Sequence, residues 1–281
     1  MNFTTEIKPK NKWYDIDFKA IWQYRDLMFL FVRRDFVSVY KQTVLGPIWF
    51  FIQPLLTTAT FTLIFSVVAK ISTNEIPAPL FYIIGLTFWG YFSTCLTSTS
   101  STFVTNAGVF GKVYFPRLIM PISIVISSLI KLSIQFLLLL MVWLYYYLTT
   151  DILHPNITIL LMPFYILLFA GLGLGFGIIL SSLTTKYRDF TFLIGFGVQL
   201  LMYATPIIYP LSLLDDQSYI IKSVVKYNPI SGIIEAIRYG LTGSGVFDLG
   251  LLAYSFVFVI ILLFLGIITF TKVEKSFIDT V

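Results

Sequence analysis

Six apolar stretches dominate this chain: residues 47–69, 79–104, 118–148, 157–183, 190–209 and 249–270. A helix needs about 20 mostly apolar residues to cross the hydrocarbon core, and in lipid the backbone must satisfy its own hydrogen bonds. The pattern therefore predicts an all-α integral membrane protein with six transmembrane helices. Composition agrees, with 57% hydrophobic and only 12% charged residues and a mean hydropathy of +0.87. Soluble domains carry about 25% charged residues, so water is the wrong solvent for this surface. The third stretch is long enough to tilt or to extend beyond the bilayer. The fifth is the weakest, with Gly195 and Gly197 inside it and Pro206 near its end.

Basic residues set the orientation. Residues 1–46 hold eight Lys and Arg, the 105–117 loop two, the 184–189 loop two and the tail two. The other side holds Lys70, Lys222, Lys226 and Arg238. Fourteen against four is a positive-inside signal that puts both termini in the cytoplasm, since the number of spans is even. The expected organisation is a cytoplasmic N-terminal segment (1–46), a transmembrane domain (47–270) and a cytoplasmic tail (271–281). Lys8, Lys10 and Lys12 lie among polar residues with no apolar core close behind, which is not the pattern of a signal peptide.

Several chemistries find no support. Cys95 is the single cysteine, so neither a disulfide framework nor a thiolate metal site is expected. His154, the single histidine, falls in a short external loop beside Pro155. No G-x-x-x-x-G-K-[ST] segment occurs, so nucleotide binding of the P-loop kind is not expected. No catalytic cluster is visible either; Asp215-Asp216 is the one paired carboxylate candidate on the outer side. No nucleic-acid partner is implied.

Five segments carry more information. Residues 24–42 read as an amphipathic interfacial helix, with Met28, Val32, Phe36 and Val39 on one face and Asp26, Arg33, Arg34 and Lys41 opposite. This helix either snorkels under the headgroups or braces and docks a partner. The second apolar stretch is rich in Ser and Thr from Thr87 to Thr102, which fits helix packing or a hydroxyl-lined path. In the fourth, Gly171/Gly175 and Gly173/Gly177 have the small-xxx-small spacing that lets helices approach closely. Lys131 is the single formal charge deep in a stretch, at a cost of at least about 2.5 kcal/mol, and meets an anionic headgroup, snorkels or bonds carbonyls. Residues 210–248 read as two short helices, split at Asn228-Pro229 and ended by Gly243-Ser244-Gly245, that dip into or rest on the outer face. Glu235 and Arg238 are spaced i, i+3 on the second and can pair.

Five segments in order then resemble one family. VYKQTVLGPIWFFIQP (39–54), KVYFPRLIMP (112–121), KYRDF (186–190), TPIIYP (205–210) and YNPISGIIEAIRYGL (227–241) look like the permease of ABC-2-type polysaccharide exporters, the O-antigen and teichoic-acid export group. The resemblance runs over nearly the whole chain. It implies a half-transporter: two copies of this chain with two copies of a separate P-loop ATPase, which would bind the ATP and Mg, this chain binding no cofactor. It implies that the 24–42 helix braces the cytoplasmic interface. The 106–117 loop resembles the coupling element seated in the ATPase, with Phe110, Val113, Tyr114 and Phe115 as an apolar plug and Lys112 and Arg117 as its charge. Lys186, Tyr187, Arg188 and Asp189 would form a smaller second contact. The 211–247 helices resemble gate helices at the exit, carrying Asn228, Pro229, Glu235 and Arg238. The substrate implied is an undecaprenyl-linked glycan moving through the inner membrane, with Arg25, Arg33, Arg34 and Lys41 as candidate pyrophosphate contacts. Two other classes stay open: an ABC-2 permease for a lipid or drug, and an integral-membrane glycosyltransferase-type enzyme.

Overall fold

The computed structural model describes residues 18–41, 48–110, 112–113, 115–187, 189–215 and 217–277. Tyr114, Arg188, Asp216, the Pro47 start of the first expected span and the first seventeen residues lie outside these. Among the described residues the chain is helical, with one isolated β-bridge between Thr73 and Glu75. Two short helices, α1 (Phe18–Gln23) and α2 (Arg25–Tyr40), precede the membrane-length ones. Then follow α3 (Trp49–Phe61), extended by a π-helical turn over Thr62–Val68, and α4 (Ala78–Ser100). Two single turns, α5 (Thr102–Thr105) and α6 (Ala107–Phe110), lead to α7 (Ile119–Thr149). A 3₁₀ turn (Ile157–Leu161) enters α8 (Met162–Lys186), followed by α9 (Phe190–Tyr203). The chain ends with α10 (Tyr219–Lys226), α11 (Pro229–Thr242) and α12 (Leu249–Phe277).

Five of these are long and apolar enough to cross a membrane: Trp49–Val68, Ala78–Ser100, Ile119–Thr149, Ile157–Lys186 and Leu249–Thr271. The fifth expected span, 190–209, differs. Its helix, α9, has 14 residues, about 21 Å, short of the roughly 30 Å core. Pro206 cannot continue the helical ladder, and residues 204–209 form turns. By contrast α7, with 31 residues, extends about 46 Å and exceeds the core.

Helix α8 is the hub, and its glycines explain why. Gly173 and Gly177 face α4: a methyl built on either would lie 2.5 Å from Cys95 Cβ or Thr99 Cβ. Gly171 and Gly175 face α12, where a methyl would meet Val259 or Leu262 at 2.5 and 2.8 Å. One helix thus presents two small-residue grooves, and van der Waals packing replaces the hydrophobic drive that lipid removes. Thr184 Oγ1 adds a cross-helix bond to the Ser100 carbonyl at 2.5 Å, joining the ends of α8 and α4.

The connection before α12 is not a surface decoration. Helix α10 has an exposed apolar face (Tyr219, Ile220, Val224), as an interfacial helix would show. Helix α11 is instead enclosed along most of its length. Its last carbonyls have no helical partner, and each is met from elsewhere: Gly240 by Asn156 N–H and Thr242 by His154 N–H, both at 3.0 Å, and Leu241 by Trp143 Nε1–H at 2.7 Å. Gly243 ends the helix in the left-handed region, φ +76°, and the His154 carbonyl lies where a side chain would sit.

Candidate functional site

Three sets of expected residues can be placed. The first is the segment expected to couple to an ATPase. Asn106 is buried; its Nδ2 donates to Thr102 O at 3.1 Å and its Oδ1 accepts from Arg34 Nη2 at 3.3 Å. Phe110 stacks on Phe115 with centroids 5.7 Å apart, and Phe115, 4% exposed, packs on Phe31 of α2 at 5.7 Å. Arg117 lies over the Phe110 ring. Two of the four expected plug residues therefore turn into the protein, because α2 offers them Leu27, Met28 and Phe31. Lys112 and Val113 are the exposed ones. At the neighbouring loop Lys186, Tyr187 and Asp189 are exposed, with the Lys186 ammonium 5.2 Å from the Tyr187 ring. The Thr184–Ser100 bond holds these two loops at one end of the bundle.

The second set is α2. Phe31 and Val32 are buried, Met28 and Phe36 half-buried, and Phe29, Leu30 and Val37 exposed. The expected apolar face is thus widened by Phe31, and a second apolar face looks outward. Arg34 is committed: Nε and Nη2 reach Asp35 Oδ1 at 2.9 and 2.8 Å, and the guanidinium lies over Phe31. Arg25 stands over the Trp22 ring and 3.9 Å from Asp26. Arg33 and Lys41 are exposed.

The third set is Asn228, Pro229, Glu235 and Arg238. Arg238 is 1% and Glu235 3% exposed, paired at 2.9 Å. Arg238 Nη1 also donates to Pro206 O at 2.5 Å and Nη2 to Ile207 O at 3.0 Å, while the guanidinium lies 3.6 Å above the Phe81 ring. Asn228 caps α11 by accepting from Ile230 N–H, and its Nδ2 donates to Ala204 O and Thr205 Oγ1, each at 3.1 Å. Pro229 occupies the first turn of α11, and its carbonyl accepts from Ser255 Oγ. The turn after α9 leaves carbonyls without helical partners, and these two side chains supply the donors. A cation at the end of α9 also suits the helix dipole. The sequence spacing exposed the Glu235–Arg238 pair but not these distant partners.

Missing from all three sets was a cavity of about 340 Å³ at the junction of four helices. Lys131, Ser127, Ser128 and Ile124 of α7 form one wall, and Thr94 and Ser98 of α4 another. Asp35, Phe36 and Ser38 of α2 and Phe50 of α3 complete it. Lys131 lies twelve residues into α7, about 18 Å along its axis. Its ammonium meets no carboxylate and no hydrogen-bond acceptor among the described residues. Three of the seven Ser and Thr hydroxyls of α4 bond back to their own helix: Thr94 to Gly90 O, Thr97 to Ser93 O and Ser100 to Thr97 O. Within this stretch Thr99 packs on α8, while Thr94 and Ser98 line the cavity. Among the described residues no group of His, Cys, Asp or Glu has the arrangement of a metal site, and Asp215 is taken up by an exposed pair with Lys222.

Comparison with known proteins fits this geometry. The O-antigen export system permease protein RfbA of Myxococcus xanthus is 29% identical over 201 residues, covering 71% of this chain and 74% of its own. Two proteins of that same description from Klebsiella pneumoniae are 28% and 27% identical over 263 and 256 residues, each covering 90% of this chain and 94% of the relative. The sequence profile described as ABC-2 type transporter matches residues 26–242, from the start of α2 to the end of α11. With five membrane-length helices and that match over most of its length, this multi-pass chain belongs to the ABC-2 type transporter family.

Proposed function

We propose that this chain is the transmembrane permease subunit of an ATP-driven ABC exporter that moves a lipid-linked polysaccharide, O-antigen-like or teichoic-acid-like, across the inner membrane. The observation that carries this reading is the alignment of 90% of the chain with permeases named for O-antigen export. Members of this family are membrane subunits of transporters, so the chain conducts and does not catalyse. Hydrolysis falls to a pair of P-loop ATPase subunits, and two copies of this chain form one path. The basic end of the bundle faces the cytoplasm with both termini, α9 and the turns after it together making up the fifth of the six crossings. Lys112 and Val113, with Lys186, Tyr187 and Asp189, present the surface on which an ATPase pushes. Because Phe110 and Phe115 tie that loop to α2 and α7, displacement there is passed directly to two helices. Arg33 and Lys41, exposed on the same face, are positioned to meet substrate phosphate.

Deleting the gene tests this reading. The expected result is loss of the surface polysaccharide with lipid-linked polymer accumulating in the cytoplasm. An unchanged surface polysaccharide would exclude it.

A further inference from the structure

We propose that the cavity beside Lys131 is a binding site for a lipid-borne phosphate. This rests on the export reading for the identity of the lipid, but not for the chemistry of the site. An unpaired cation among helices is expensive and persists where it meets an anion or a polar space. Here the ammonium has no carboxylate partner among the described residues, and the cavity it lines is large enough for a phosphate headgroup. Ser98 and Ser127, from facing helices, line the same space, and neither hydroxyl donates to a protein acceptor among the described residues. A cation with converging hydroxyl donors is the donor set a phosphate oxygen accepts from.

The charges near the opening agree. Asp35 is the one acid in the lining, and its carboxylate is already held by Arg34 at 2.8 Å. That pair contributes no net charge, so the cavity keeps the positive charge of Lys131. Its position argues for a lipid-borne source. The cavity lies where α2, whose outward residues Phe29, Leu30 and Val37 are apolar, meets three membrane-length helices. An interfacial helix marks the depth of lipid headgroups. The rings of Phe36 and Phe50 give the polar space an apolar margin, as a phosphate attached to a hydrocarbon chain requires.

The test is binding to the purified full-length chain, by native mass spectrometry or competition, with three probes: undecaprenyl phosphate, undecaprenol and phosphatidylglycerol. The wild-type chain should prefer undecaprenyl phosphate to undecaprenol by at least about tenfold. Lys131→Met should abolish that preference, Lys131→Arg should keep most of it, and Ser98→Ala with Ser127→Ala should reduce it several-fold. Should Lys131→Met fail to fold, the arginine and double-alanine variants still decide. Phosphatidylglycerol held as tightly as undecaprenyl phosphate, and lost equally in Lys131→Met, would assign the site to bulk phospholipid. Loss of undecaprenyl phosphate alone would assign it to the carrier of the exported substrate. A phosphate preference undiminished in Lys131→Met and in the double-alanine variant overturns the proposal. No transport enters this assay, so its failure leaves the export reading standing, and an unchanged surface polysaccharide in the deletion strain leaves the binding result standing.

Discussion

Arg238 Nη1 and Glu235 Oε1 lie 2.9 Å apart in a pair sealed from solvent on both sides. Removing one partner of such a pair leaves a buried charge uncompensated, at about 3–5 kcal/mol. Arg238→Met should therefore lower the melting temperature of the detergent-purified chain sharply or prevent its accumulation. Joining it to Glu235→Leu should recover part of the loss but not all, because the Pro206 and Ile207 carbonyls remain without donors. A double variant as stable as wild type would show that those carbonyls need no partner.

The glycines of α8 and α9 should behave oppositely. Gly177→Ala forces a methyl to within 2.5 Å of Thr99 Cβ, and such overpacking costs about 1–3 kcal/mol. Gly197 has nothing within 4 Å, so Gly197→Ala relieves the helix cost of glycine, about 0.5–1 kcal/mol, without a clash. Thermal melts of the two variants should move in opposite directions. Equal shifts would mean that α8 does not approach α4 as closely as described.

Substitutions in the loop between α4 and α7 should separate the proposed ATPase docking from folding. Phe115→Ala removes a buried ring and should destabilise the chain by about 3–5 kcal/mol. Lys112→Glu with Val113→Asp changes exposed residues only, so the melting temperature should hold while co-purification of the ATPase falls. Co-purification at the wild-type level in that double variant removes the pair from the contact surface.

Arg33 and Arg34 are adjacent but differently placed. Arg34 is occupied by Asp35 and Asn106, whereas Arg33 is exposed. Arg33→Ala with Lys41→Ala should reduce export several-fold with ATPase assembly unchanged. Arg34→Ala should chiefly loosen α2, seen as faster hydrogen exchange in α2 and at Asn106. Normal export in the first variant would take both residues off the substrate path.

How much of this was legible in the sequence follows from where the information sits. Long continuous apolar runs report their own helices, so α3, α4, α7, α8 and α12 were readable from length. The shortness of α9 was not, because Thr205 to Tyr209 continue the stretch without a charged residue. Hydropathy does not register that Pro206 breaks the ladder or that Arg238, some thirty residues later, replaces the missing bonds. The glycine spacing in α8 was readable as close packing, but which pair faces which neighbour was not. In the same way Lys131 stood out as an isolated charge, while the cavity around it needs the register of four helices. The rings of Phe110 and Phe115 were visible, and only α2 decides that they turn inward.

The bonds that complete the turn after α9 have a consequence for the order of synthesis. Residues 190–208 emerge from the ribosome ahead of Asn228 and Arg238, so a nascent chain first presents a short apolar segment whose final carbonyls at 204, 206 and 207 have no donors. Such a segment is a poor substrate for integration on its own. It can settle only once α11 has been made and has slid in beside it, so the two must be inserted as one late unit. A stop codon placed between them should strand the α9 segment outside its final position, however well the four preceding long helices are inserted.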